Sequence, residues 1–190
     1  AAQLEHIDFL ERQIARLSEE IAKRMRPFEE ELGLLDSIPG VGRRNAEEIL
    51  VETGTDMDRF PSAAHLSSWA GVAPGNNESA GKRKSGRARK GNKALRATLT
   101  EAARSAARVK DTYLSASYHR IAARRGANRA AIAIGHAILV IVYHILKRRQ
   151  PYVELGPNYL DERKKQSMVR RTVKKLETLG YEVRIEPKVA

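Results

Sequence analysis

Leu34-Leu35-Asp36-Ser37-Ile38-Pro39-Gly40-Val41-Gly42-Arg43-Arg44-Asn45-Ala46-Glu47-Glu48-Ile49-Leu50 is the stretch that decides how this chain folds. Pro39, Gly40 and Gly42 do not belong inside a helix, because proline lacks an amide proton and glycine carries a large entropic cost there. The residues on either side do. The spacing predicts a short helix, a hairpin built on Pro39, Gly40 and Gly42, and a second helix starting near Arg43 and ending by Gly54.

The rest of the composition agrees with a helical reading. Of 190 residues, 42% are hydrophobic and only 5% aromatic, so the core must be built mainly from Ala, Leu, Ile and Val. We expect an all-α, mostly helical fold. Such a helix-hairpin-helix element, spanning 29–54, can present backbone N–H groups at the start of its second helix to a phosphate oxygen. Arg43 and Arg44 stand where a backbone contact would want cations, which makes Gly40, Gly42, Arg43 and Arg44 candidate nucleic-acid contacts. In some proteins the same hairpin only packs helices together.

N-terminal to this element, Ile7, Ile14, Ile21 and Phe28 share one heptad position and Leu10 and Leu17 the other, with Arg24 breaking the second series. Isoleucine on one seam and leucine on the other is the pattern of two-stranded parallel coiled coils, so residues 1–28 read as a coiled-coil arm that joins a homodimer or higher oligomer. A single amphipathic helix packed on its own domain is the other reading. Pro27 should end or kink the helix. The sequence begins at Ala1, without Met and within a helical pattern, which suggests a piece of a longer protein.

C-terminal to the hairpin element, Pro61 and Ser62 open a short helix in which Leu66, Trp69 and Ala70 are expected to form the buried stripe. Gly71 and Pro74 stop it. A loop over 71–92 follows, in which seven of the twelve residues from Lys82 to Lys93 are Lys or Arg and none is acidic. It is too polar for a core and too glycine-rich for a helix interior, so it should be an exposed loop or a glycine-bent hairpin. Ser79, between Glu78 and the small residues Ala80 and Gly81, is open to close approach by a polyanion.

Asn92 should cap a helix from Lys93 to about Val109, with Arg96 one turn in and facing the loop. A further helix covers Thr112 to Arg124. Asn128 should cap a long apolar helix through Lys147, and the helical core thus spans 93–149. The apolar run Ala130–Leu146 is marginal for a membrane span and is interrupted by Gly135, His136 and His144, so it reads as a buried helix rather than a membrane partner. His136 and His144 lack a third ligand in the pattern, and we expect no metal site in this chain. Residues 150–190 form a basic tail: a connector, a basic amphipathic helix from Tyr159 to Leu179, and a short strand over Tyr181–Ile185.

The formal charge of +12 points to a polyanion, because each phosphate neutralised by Lys or Arg releases condensed counterions. With no cysteine, disulfides and thiolate zinc sites are excluded. Lys82, Arg83, Lys84, Arg87, Arg89, Lys90 and Arg96 surround Ser79 in sequence with the cations that a phosphoryl transfer needs. No residue of the loop offers an obvious general base, and neither Gly-x-Ser-x-Gly nor a Walker loop occurs. From these residues alone, a passive nucleic-acid clamp and a nucleophilic serine both stay open.

The order of the pieces narrows this. Leu35–Gly42, Arg59-Phe60-Pro61-Ser62-Ala63, Trp69-Ala70-Gly71-Val72-Ala73-Pro74, Glu78-Ser79-Ala80-Gly81-Lys82, and Lys90-Gly91-Asn92 with Leu95-Arg96 resemble the C-terminal serine domain of the IS110 insertion-sequence transposases, including their IS1111 branch. The similarity runs from about Leu34 to Leu146. It implies DNA transposition, a site-specific recombination in which Ser79 is the nucleophile that forms a phosphoserine link to DNA. It implies as partners DNA and a structured bridge RNA, and a cytoplasmic, nucleoid-associated location in a bacterium or archaeon. It further implies a separate nuclease-like domain with an Asp-Glu-Asp-Asp tetrad and its Mg2+. That tetrad has no counterpart here, so this chain needs no cofactor of its own and should bind nucleic acid and assemble without recombining DNA alone. Ala80 stands where many members have Gly, which leaves the local backbone less free.

Overall fold

A computed structural model describes residues 2–75, 77–85 and 90–185. Eight α-helices carry the fold: α1 Ala2–Met25, α2 Glu29–Asp36, α3 Arg43–Thr53, α4 Ala63–Trp69, α5 Lys93–Ala106, α6 Tyr113–Arg125, α7 Ala127–Arg148 and α8 Tyr159–Thr178. Two short strands, β1 Asn77–Ser79 and β2 Lys82–Ser85, make a single antiparallel hairpin between α4 and α5. Among the described residues, the fold is all-α apart from this hairpin and two single-turn 3-10 segments.

Helix α7 is the axis of the core, because it is apolar enough around most of its circumference to be covered on several sides. It packs against α2, α4, α5 and α6. Ile138, Leu139 and Val142 are fully buried there, with Leu32, Leu35, Leu66, Leu95, Leu99 and Leu114 brought in from its neighbours. Each such side chain contributes about 1.5–3 kcal/mol on burial. By length and hydropathy α7 would also suit a membrane, but here it is the central core helix. At its crossing with α5, Gly135 lies so close to Leu99 that an added Cβ would stand 3.1 Å from the Leu99 carbonyl oxygen.

Polar contacts fasten the C-terminal end of α7 to its neighbours. Arg149, just past α7 in the left-handed region at φ 54, donates to Glu31 at 2.6 Å. Tyr143 donates its hydroxyl to the Phe60 carbonyl at 3.2 Å, which ties α7 to the segment before α4.

Pro27 acts as the sequence predicts: α1 stops at Met25, a 3-10 turn carries Arg26–Phe28, and α2 starts afresh. Beyond that turn α1 runs as a single exposed arm, with Ile7, Leu10, Ile14, Leu17 and Ile21 all open to solvent.

Three expectations need correction. Trp69 is not a core anchor: it is 44% exposed and rests against Phe60, while Leu66, Ser67 and Ala70 face inward. Asn128 does not cap α7, since Gly126, at φ 85, both ends α6 and starts α7, which leaves Asn128 as the second residue inside the helix. Tyr181–Ile185 forms no strand, because among the described residues no neighbouring strand completes its hydrogen bonds. Helix α8 is attached near its start, where Asp161 accepts from Arg120 at 2.7 Å and Tyr159 meets the Tyr113 ring edge-on. It buries none of its residues.

Candidate nucleic-acid interface

Ser79 is the last residue of β1 and pairs with Lys82, the first of β2. Only Ala80 and Gly81 lie between them, at φ 51 and 72. A two-residue turn with positive φ at both positions matches the right-handed twist of the strands it joins. Glycine adopts that conformation freely, whereas alanine in the left-handed region is strained by about 1–2 kcal/mol. The result is a serine held at the tip of a two-stranded finger, exposed, with the Lys82 backbone directly across from it.

The base of the finger is pinched. A Cβ added at Gly91 would overlap the backbone of Ala70 and Gly71, so the outgoing and returning chains touch where they leave the helical body. Asn92 then turns the chain into α5. Its side-chain oxygen accepts from the Leu95 N–H at 3.0 Å, and its amide nitrogen donates to Glu52 at the C-terminal end of α3, at 2.5 Å. One turn back along α3, Glu48 accepts from Thr98 of α5 at 2.6 Å. These two bonds set α3 and α5 side by side and antiparallel, with the serine finger at the N-terminal end of α5.

The Gly40–Gly42 hairpin therefore lies at the other end. Gly40, at φ 87, is pressed onto α5, where a Cβ would overlap the backbone of Ala102 and Ala106. Ile38 and Val41 are buried on either side. Gly40 is required by this helix contact, whatever else the hairpin does. Gly42 faces open space at the start of α3 and is exposed.

Arg43 is engaged: its guanidinium holds both carboxylate oxygens of Glu29, at 2.5 and 2.8 Å, and its Nε donates to Glu47 at 2.8 Å. Those bonds push the Arg43 pKa up and the Glu29 pKa down. Arg44 makes a looser approach to Glu48 at 3.7 Å. Along α5 the two candidate regions are separated by about 20 Å, at about 1.5 Å per residue. They do not form one patch.

Of the loop cations, Lys82 and Lys90 are exposed, and Arg83 and Lys84 belong to β2. Arg87 and Arg89 lie outside the described residues. Arg96 does turn toward the loop: it lines a cleft of about 540 Å³ with Val72, Ala73 and Pro74, closed on the far side by residues of α7.

Beside Arg96, the sequence did not single out three further side chains on the solvent face of α5. Lys93, Arg96, Thr100 and Arg104 follow at helical spacing and border one shallow groove. Arg104 reaches across to the Asn128 side-chain oxygen at 3.3 Å. The 3.6-residue period of these polar positions was the available signal. Among the described residues, no cluster of His, Asp or Glu is arranged to hold a metal ion.

Residues 32–120, from α2 into α6, match the family described as Transposase IS116/IS110/IS902. The chain is also 30% identical, over 142 residues, to the transposase for insertion sequence element IS1111A of Coxiella burnetii, an alignment covering 70% of this chain and 38% of that protein. A 41-residue stretch is 56% identical to an uncharacterised 43.6 kDa protein of insertion element IS110 from Streptomyces coelicolor, covering 22% of this chain and 10% of that one. The chain thus spans well under half the length of either relative. Through the segment that holds the hairpin element, the serine finger and α5, the chain belongs to the IS116/IS110/IS902 transposase family.

Proposed function

We propose that this chain is the serine-bearing part of a transposase acting in DNA transposition, with Ser79 as the nucleophile. The observation that carries this reading is the exposure of Ser79 at the turn of a finger whose returning strand begins with Lys82. The Ser79 hydroxyl attacks a DNA phosphorus. A phosphoserine bond forms as the bond to one sugar oxygen breaks, and that oxygen leaves with a proton. In the second half, a sugar hydroxyl of another strand attacks the phosphoserine and releases Ser79, so the number of phosphate ester bonds is conserved and no nucleotide triphosphate is consumed. Lys82 neutralises part of the charge that builds up on the phosphate oxygens.

The proton taken from Ser79 needs an acceptor. The side chains described near the finger do not form an acidic cluster, and the reading assigns the acceptor and any Mg2+ to residues outside this segment. The exposed Ile7, Leu10, Ile14, Leu17 and Ile21 of α1 support pairing with a second copy. The family resemblance supports a structured RNA as the guide and an intracellular, DNA-associated site of action.

The test is Ser79→Ala in the full-length enzyme, read by recombination and by trapping of a covalent protein–DNA adduct. Recombination should fall by about a thousandfold or more and the adduct vanish, with DNA binding kept. Persistent recombination at normal expression would leave the rival reading, a non-catalytic clamp, in which charge reversal at Arg87 and Arg89 abolishes function and Ser79→Ala is silent.

A further inference from the structure

The cleft behind the serine finger has two unlike parts. Its walls are Val72, Ala73 and Pro74 from the loop leading to β1, and Ile132 and Ala133 from α7. Its polar groups are Arg96, Asn128, Arg129 and His136. Arg96 and Arg129 are exposed, and neither makes an ion pair among the described residues. Asn128 takes the Arg104 guanidinium on its oxygen, which leaves its amide protons to donate elsewhere. His136 is half-buried, and desolvation holds its pKa below the ordinary value, so near neutral pH it offers one ring donor and one ring acceptor.

A duplex would leave this cleft unused, because its bases are stacked inside and it presents only phosphates and groove edges to a concave apolar wall. A base lifted out of the stack is different. It has two flat apolar faces, a polar rim and a phosphate on each side, and about 540 Å³ is enough to take it. We propose that the cleft formed by Val72–Pro74, Arg96 and the first half of α7 binds one unstacked base of a DNA strand, with Arg96 and Arg129 on the flanking phosphates and Asn128 and His136 on the base edge. The inference rests on the nucleic-acid reading of the preceding section. It adds that the strand reaching Ser79 is opened at an adjacent nucleotide, so single-stranded or distorted DNA is preferred to regular duplex.

The experiment uses the 190-residue chain with fluorescein-labelled single-stranded 12-mers, the same strands carrying one abasic position, and the matching duplex, each titrated over a range of salt. Affinity for the intact single strand should exceed that for the best-placed abasic strand by about tenfold. Ala73→Phe, which fills the cleft from the loop side, should bring the intact strand down to the abasic value while leaving duplex binding and the salt slope unchanged. Arg96→Gln with Arg129→Gln should flatten the slope for both single-stranded probes and leave the duplex slope unchanged.

Salt-dependent binding that is indifferent to the abasic position, or to Ala73→Phe with an unchanged circular dichroism spectrum, overturns the inference and spares the parent reading. No salt-dependent binding to any probe overturns both. If Ala73→Phe alters sedimentation of the free protein instead, the cleft belongs to a protein partner and the inference fails.

Discussion

The Asn92 amide nitrogen donates to Glu52 while the oxygen of the same side chain caps α5 at Leu95. One short side chain thus joins the end of α3, the start of α5 and the foot of the serine finger. The two halves of its amide have separate jobs, and substitutions can separate them. Asn92→Ala removes both bonds and should cost about 1 kcal/mol for the lost cap, with more for the stranded Glu52. Aspartate is as good a cap as asparagine on its own, yet Asn92→Asp places a second carboxylate against Glu52. It should melt lower than Asn92→Ser. Thermal melts of the two variants at pH 7 check this, and equal midpoints would mean that the Glu52 contact is not made.

Gly40 and Gly42 belong to one hairpin but should respond very differently. Gly40→Ala drives a methyl group into the α5 backbone from a left-handed position and should cost about 3 kcal/mol or more. Gly42→Ala has open space and ordinary φ, and should keep stability within about 1 kcal/mol. If the start of α3 holds a phosphate, Gly42→Ala should nevertheless weaken DNA binding. Urea denaturation beside a binding titration decides both points.

Ala80→Gly relieves the strained position of the turn. The gain should be near 1 kcal/mol, smaller than the full strain because glycine is also freer in the unfolded chain. It is confined to the finger, so the global melting point should barely move. Slower amide hydrogen exchange across β1 and β2 is the readout, and faster exchange would contradict the turn geometry.

His136 gives the pH dependence a sign. Its folded pKa lies below the ordinary 6.5 because burial disfavours the charged imidazole. The unfolded chain therefore binds the proton more readily, and its contribution to stability is present above about pH 6.5 and lost as pH falls toward the folded pKa. Arg96 and Arg129 are the charged groups lining the same cleft. The urea midpoint of the wild type should drop between pH 7.5 and 5.5 by more than that of His136→Gln. Equal drops would assign the slope to other groups.

The helices were legible where their causes are local. Pro27 breaks the first helix and Asn92 caps α5 through contacts within a few residues of themselves, and the apolar run from Ala130 to Leu146 announces its own burial. What escaped depends on distant partners. Nothing near Gly40 in sequence says that Ala102 and Ala106 will lie against it, nor that Arg43 will be held by Glu29. Trp69 sat in an apolar pattern, but the side of α4 that packs inward carries Leu66, Ser67 and Ala70 instead. The cleft draws on residues 72–74, 96 and 128–136, three segments that only the packing of α5 on α7 unites. Of the candidate contacts, the loop cations and Arg96 were visible as charge, whereas Lys93, Arg104 and Arg129 needed the helix surface to become a set.

The narrow neck at Gly71 and Gly91 has an implication for how this region can vary. Because departure and return are stitched together at one point, the excursion between them behaves as a graft on a finished helical body. Beyond Val72, which stays in the core, its length can change without the helices having to find a new packing.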